Sequence, residues 1–113
     1  MGQGLIDYRL WGTFQVLGEN PVCVKLLTVN PHSRLSLQTH EHRAEVWYPL
    51  TDGLQAIIGA RHIDLKALTR YRIGEGVEHR LINPTNKPLQ VIELMYGVYD
   101  EADIFRIQDD YGR

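Results

Sequence analysis

Read for alternation of hydrophobic and polar positions, the chain from Phe14 to Met95 is a succession of short β-branched and aromatic runs cut by turn residues, with no convincing stretch of helical period. FQVL (14–17) and VCVKLLTV (22–29) read as strands around the turn Gly18-Glu19-Asn20-Pro21, and RLSLQTHEH (34–42) alternates by twos. WYPL (47–50), LQAIIGA (54–60), HIDL (62–65) and RYRI (70–73) follow, separated by Thr51-Asp52-Gly53, by Gly59 and by the bend at Gly74 and Gly76. HRLIN (79–83) enters the turn Pro84-Thr85-Asn86-Lys87-Pro88, and LQVIELMYG (89–97) is the last long strand. Strands at this spacing predict an all-β sandwich or barrel. The acidic segment from Asp100 to Tyr111 carries Glu101, Asp103, Asp109 and Asp110 and is expected to pack back onto the barrel as a tail or short helix. The whole chain, 1–113, reads as one domain, with the barrel over residues 14–96 and the tail over 97–113.

Composition narrows the class. Hydrophobic residues at 43% and charged residues at 23% exclude disordered and collagen-like chains. Twelve Lys and Arg against fourteen Asp and Glu leave a net charge of −2, which argues against nucleic acid as a partner. The single cysteine, Cys23, has no internal disulfide partner and suits a reducing cytoplasm. No apolar run approaches membrane-spanning length and the N-terminus lacks a signal-peptide pattern, so neither secretion nor a membrane partner is expected. Gly2 suggests myristoylation, but Ile6 stands where that pattern needs Ser or Thr.

The candidate chemistry lies in the placement of five histidines: His32, His40, His42, His62 and His79. On a continuous strand Gln38, His40 and His42 share one face, and polar groups facing a small core need a compensating partner. A divalent metal supplies one, because imidazole, carboxylate and amide oxygen suit zinc, manganese, iron, cobalt or nickel. A lone histidine is more often on a solvated strand face, but here Glu45 follows closely, and His79 stands in Gly-Glu-Gly-Val-Glu-His ahead of Asn83-Pro84.

Those two segments resemble the paired motifs of the cupin superfamily. Its first motif runs G, five residues, H-x-H, three or four residues, E; its second runs P-x-G, two residues, H, three residues, N. The second lies over Gly76, His79 and Asn83, with Gly74 in the proline place; the first lies over Gln38, His40 and Glu45, with His32 in the glycine place. A narrower resemblance spans nearly the whole chain. RLWGTF (9–14), RLSLQTHEHRAEVW (34–47), GVEHRLINPTNKPLQVIEL (76–94) and GVYDEADIFRIQDDYGR (97–113) are similar to the cupin domain of type II mannose-6-phosphate isomerases. In that family the domain commonly follows a guanylyltransferase domain; here it stands alone, so guanylyl transfer is not expected of this chain.

The resemblance implies a cupin fold, a jelly-roll-like β-barrel or double-stranded β-helix, and a bound divalent metal, zinc first, with manganese, cobalt, nickel and iron as alternatives. Val46 stands where the family usually has histidine, which favours Gln38, His40, Glu45 and His79 as the ligand set. It also implies interconversion of mannose 6-phosphate and fructose 6-phosphate through an enediolate, which needs a proton shuttle and an oxyanion stabiliser. His42 is the first candidate for the shuttle, with Glu78 and Glu93 as rivals. Arg43, Arg80, Arg106 and Arg113, in family-like segments, are the candidates for the phosphate of a small phosphorylated sugar. Trp11 and Trp47 read as core anchors or sugar-stacking rings, and Lys87 as solvent-facing. Two alternative readings are a non-catalytic sugar-phosphate-binding cupin and a metal-dependent cupin oxygenase. A small open barrel exposes strand edges that a homodimer would cover.

Overall fold

Strict alternation of side chains is the signature of a strand with one face in a core, and Cys23–Val29 shows it: Cys23, Lys25, Leu27 and Val29 are buried while the residues between them are partly exposed. The computed structural model describes residues 4–19, 22–98, 100 and 102–112, so Asn20 and Pro21 of the expected turn lie outside the described residues. Twelve strands occur among the described residues: β1 (Ile6–Arg9), β2 (Gly12–Gly18), β3 (Cys23–Val29), β4 (Ser33–Arg34), β5 (Leu37–Thr39), β6 (Arg43–Pro49), β7 (Gln55–Ile58), β8 (Arg61–Asp64), β9 (Tyr71–Ile73), β10 (His79–Asn83), β11 (Leu89–Gly97) and β12 (Phe105–Gln108). One sheet runs β1-β2-β3-β11-β6-β9; the other runs β12-β5-β10-β7-β8, with β4 also paired to β10. Every pairing is antiparallel, as expected of an all-β barrel.

The two sheets share one core. Phe14, Val16, Leu27, Trp47 and Val91 come from the first sheet, and Ala56 and Leu81 from the second. The seven-residue registers of β11 with β3 and with β6 make β11 the spine of the first sheet. No helix among the described residues is long and apolar enough to cross a membrane.

Two segments depart from the expected pattern. RLSLQTHEH is not one strand: β5 ends at Thr39, Glu41 and His42 form a bend, and the next strand opens at Arg43, before the expected start at Trp47. The Asp103 carboxylate accepts hydrogen bonds from the amides of Glu41 (2.9 Å) and His42 (3.0 Å), so a side chain replaces the ladder there. The tail contains strand β12 and no helix among its described residues; Phe105 and Arg106 pair with Thr39 and Gln38 along the open edge of β5. Pairing also begins earlier than Phe14, because Ile6–Arg9 lies against β2.

The end of β11 and the bend are held together by a backbone approach that only glycine allows. Gly97 has φ of 113°, and a β-carbon there would sit 2.5 Å from the His42 carbonyl oxygen and 3.2 Å from the Arg43 Cα. Gly97→Ala is therefore expected to destabilise the fold by about 2–3 kcal/mol, read as a lower urea midpoint at unchanged slope. An unchanged midpoint would show that the approach is not tight.

Candidate metal centre

Residues directly opposite each other in antiparallel strands point to the same face, so the registers determine what shares the barrel interior. In the second sheet, Arg106 on β12 lies opposite Gln38 on β5, which lies opposite His79 on β10. In the first sheet, Lys25 on β3 lies opposite Glu93 on β11, which lies opposite Trp47 on β6, and the row two residues along places Met95 beside Glu45. All eight line one cavity of about 230 Å³. Polar groups thus stand at positions where a barrel otherwise packs apolar side chains.

Three of them converge. His40, Glu45 and His79 are buried, and their nearest ligand atoms all lie within 4.8 Å of one another. His40 Nδ1 is 2.6 Å from the Asp103 carbonyl oxygen and His79 Nδ1 is 2.9 Å from that of Val77. A carbonyl only accepts, so each Nδ1 carries the proton and each Nε2 turns inward. The two Nε2 atoms stand 2.8 Å and 3.5 Å from Glu45 Oε1. Two imidazole nitrogens and a carboxylate oxygen, each ring fixed from behind by a carbonyl, are a donor set that fits a divalent transition metal. Gln38, 9% exposed, stands across from His79 on the same wall and offers an amide oxygen.

The carboxylates are tuned in opposite directions. Burial alone would raise Glu45, but the charge of His79 and hydrogen bonds from Glu93, His40 and His79 outweigh it and hold Glu45 well below the usual carboxylate range. Burial, followed by the charge of Glu45 and the hydrogen bond to it, pushes Glu93 well above that range, against the opposing effects of Lys25 and Trp47. This shift favours the protonated form of Glu93, and its Oε2 accepts from Trp47 Nε1 at 3.0 Å. Burial works against a charged His79, yet Glu45 and the Val77 carbonyl raise its pKa. Trp47, 1% exposed, also packs edge-on to the His79 ring at 5.8 Å, so it acts as a core anchor.

Residues 4–109 match the family described as mannose-6-phosphate isomerase C-terminal. The chain belongs to this family. It is 40% identical to a mannose-1-phosphate guanylyltransferase of Klebsiella pneumoniae and to the xanthan biosynthesis protein XanB of Xanthomonas campestris. It is 39% identical to the alginate biosynthesis protein AlgA of Pseudomonas aeruginosa. Each match covers 94% of this chain but only 22–23% of the relative, so the chain spans less than a quarter of their length. Among solved structures, the capsular polysaccharide assembling protein CapF of Staphylococcus aureus superposes with TM-score 0.82 at 14% identity, over 92% of this chain and 34% of that one. The cupin domain of Schizosaccharomyces pombe Cnp3 does so with TM-score 0.71 at 11% identity, over 81% and 69%. These likenesses show the cupin fold.

The expectation of an aldose–ketose isomerase acting on mannose 6-phosphate and fructose 6-phosphate is corrected by these relatives, which are named for guanylyl transfer and for xanthan and alginate biosynthesis, not for isomerisation. The geometry also removes two of the three expected proton shuttles. The His42 side chain is 67% exposed, because the bend at 41–42 turns it away from the face that His40 occupies. Glu78 is exposed in the loop before β10 and does not line the cavity. Of the three, Glu93 alone reaches the cavity.

Among family members' arginines, Arg43 and Arg80 do face the cavity, but both are engaged by protein. Arg43 donates to the Asp100 carbonyl at 3.0 Å, and its Nη2 stands 3.2 Å from His40 Nε2. Arg80 donates to the Leu35 carbonyl at 2.8 Å and to Gln108 Oε1 at 2.7 Å. Arg106 is half-buried on the cavity wall, and Arg113 lies outside the described residues. The motif asparagine, Asn83, serves the 83–87 turn, donating to the Val29 and Lys87 carbonyls and accepting from Thr85. Lys87 is exposed, as expected. Lys25 was not anticipated; it is 8% exposed, its Nζ lies 4.2 Å from the Phe14 ring centroid, and Arg9 lies over the same ring at 5.2 Å. A lysine at an inward position between Cys23 and Leu27 of an alternating strand was the available signal.

The carboxyl pair makes the stability of the metal-free protein depend on pH. Glu93 keeps its proton in the folded state above the ordinary value of 4.5, so its contribution is complete below that value and declines as the pH rises. His79 acts in the same sense above its ordinary 6.5, whereas the contribution of Glu45 is lost only in acid. Urea unfolding of metal-free protein from about pH 5 to about pH 8 is expected to show falling stability. Glu93→Gln, which does not titrate, should flatten the part of the decline that begins below the histidine range. An identical decline in the variant would show that Glu93 is not the proton carrier.

Proposed function

We propose that the chain is a divalent-metal-binding cupin whose cavity takes a small phosphorylated sugar. One observation carries this reading: the convergent His40–Glu45–His79 set lies in a cavity also lined by Arg9, Lys25, Arg43, Arg80 and Arg106, against only two carboxylates, Glu45 and Glu93. At about 230 Å³ the cavity is smaller than the ~300–1,000 Å³ usual for drug-sized ligands, which suits a monosaccharide. Excess basic groups favour an anionic substituent, and guanidinium matches phosphate geometry. A divalent metal bound there would polarise a hydroxyl or carbonyl oxygen of the ligand. Glu93, whose pKa is raised, lines the same cavity, and Gln38 on its wall would complete the ligand set.

Zinc is the first candidate for the metal, because two imidazoles, a carboxylate and an open position are a common zinc arrangement; manganese, cobalt, nickel and iron accept the same donors. Mannose 1-phosphate is the first ligand to test, since a relative is named for it. A homodimer is the assembly that the exposed Ile6 and Tyr8 of edge strand β1, and Phe105 and Ile107 of edge strand β12, favour.

Calorimetric titration tests the reading. Zinc-loaded protein is expected to bind mannose 1-phosphate at least tenfold more tightly than mannose, and chelator should weaken the binding of both. His79→Ala should lose the metal. Lys25→Met should keep it and bind the phosphorylated sugar about tenfold more weakly, a loss of about 1.4 kcal/mol. Equal binding of both sugars, or binding indifferent to chelator, would overturn the proposal.

A further inference from the structure

His79 and His40 present Nε2 in the same way but are held very differently. His79 Nδ1 is satisfied by the carbonyl of Val77, two residues away on its own strand approach. His40 Nδ1 is satisfied at 2.6 Å by the carbonyl of Asp103, from the C-terminal segment that follows β11. The orientation of one metal-ligating ring is therefore local, and that of the other depends on a segment 63 residues away.

What keeps that segment in place at this point is the Asp103 side chain. Its two carboxylate oxygens each accept one backbone amide of the bend that follows His40, Glu41 at 2.9 Å and His42 at 3.0 Å. Carbonyl and carboxylate of one residue thus grip three consecutive residues, His40 to His42. The same segment has a second anchor further along, where Asp110 pairs with Arg34 through two contacts of 2.6 and 2.8 Å, on the outside of the cavity that holds the three ligands.

We infer that Asp103 is a positioning residue for the metal centre: by fixing the 40–42 bend against its own carbonyl, it holds His40 as the Nδ1-protonated tautomer and aims Nε2 at the metal. This rests on the metal reading above. It follows from the general behaviour of ligating histidines, whose outer hydrogen-bond partner sets tautomer and ring orientation. Asp103 touches neither the metal position nor the cavity, so its role is exerted through His40 alone.

Cobalt(II) titration of the full chain, followed by its visible absorption and by the shifted exchangeable ring N–H proton resonances, separates the outcomes. Wild type should bind cobalt and show two such resonances, one per histidine. Asp103→Ala should bind cobalt about 10–100-fold more weakly and lose one resonance selectively while the other, from His79, persists. Asp103→Asn keeps one acceptor oxygen and should recover part of the affinity; it carries the test if the alanine variant does not fold. Asp110→Ala, which cuts a separate anchor of the segment away from the cavity, should leave cobalt affinity unchanged. An Asp103→Ala protein with wild-type affinity and both resonances overturns the inference while leaving the metal reading standing. An Asp110→Ala protein as weak as Asp103→Ala overturns it too, since the effect would then be general loosening of the segment. A wild type that takes up no cobalt overturns the metal reading, and the inference with it.

Discussion

A carboxylate inside a barrel is the constraint on which the rest of this molecule depends. Glu45 is 2% exposed, and an ionised group so placed is tolerated only when hydrogen bonds and opposite charge replace its water. His79 approaches one of its oxygens from the facing sheet and His40 from just past the end of β5, while Glu93 hydrogen-bonds to it from the neighbouring strand. Trp47 then satisfies Glu93, and carbonyls of Val77 and Asp103 satisfy the outer nitrogens of the rings. Removing any member leaves a buried polar group without its partner, so the cluster is cooperative. A divalent metal held by His40, Glu45 and His79 would offset the buried carboxylate charge directly.

The architecture supplies this cluster through pairings of long sequence separation. His79 reaches Glu45 only because β10 lies against β5 while β6 lies against β11 in the opposing sheet. His40 reaches it because the chain stops being a strand after Thr39 and turns under the cap of Asp103. Neither sheet contains the site, and closing the barrel is the same event as assembling the donors. The two polar rows, Arg106–Gln38–His79 and Lys25–Glu93–Trp47, face one cavity as the product of registers and not of local sequence.

That distinction explains what could be read from the sequence. Alternation by twos located β2, β3 and β11 closely, because each carries apolar residues on one face that has only one way to meet the core. Gln38, His40, Glu45 and His79 were legible as one polar set from their types and spacing, and the fold brings three of them within ligand distance and the fourth onto the same wall. His42 was misplaced because counting by twos assumes an unbroken strand, and the break is imposed by Asp103, which no local pattern connects to residue 41. Glu78 and Glu93 were indistinguishable until the position of β10 placed one in a loop and the other on an inner face. Strand β12 looked like an acidic tail because its pairing edge is supplied by β5, and Lys25 was hidden in a run otherwise read only for its apolar residues.

Charge is distributed here against the average of the chain, and that bears on what the cavity can hold. The protein as a whole carries a net charge of −2, yet among the described residues the cavity gathers Arg9, Lys25, Arg43, Arg80 and Arg106 around Glu45 and Glu93, the latter with a raised pKa. Arg80 is buried and its pKa is lowered, first by burial and then by Arg34, so placing a guanidinium here has a cost. Protein acceptors offset part of that cost: Arg80 is tied to Gln108 and Arg43 to Asp100. Such ties fix guanidinium groups in orientation, and an oriented donor loses less entropy on meeting an anion than a mobile one. Barrels of this topology serve many chemistries, so the fold does not select a ligand. The sign of the cavity wall bears on it more, since preset cations favour an anionic group over a neutral one.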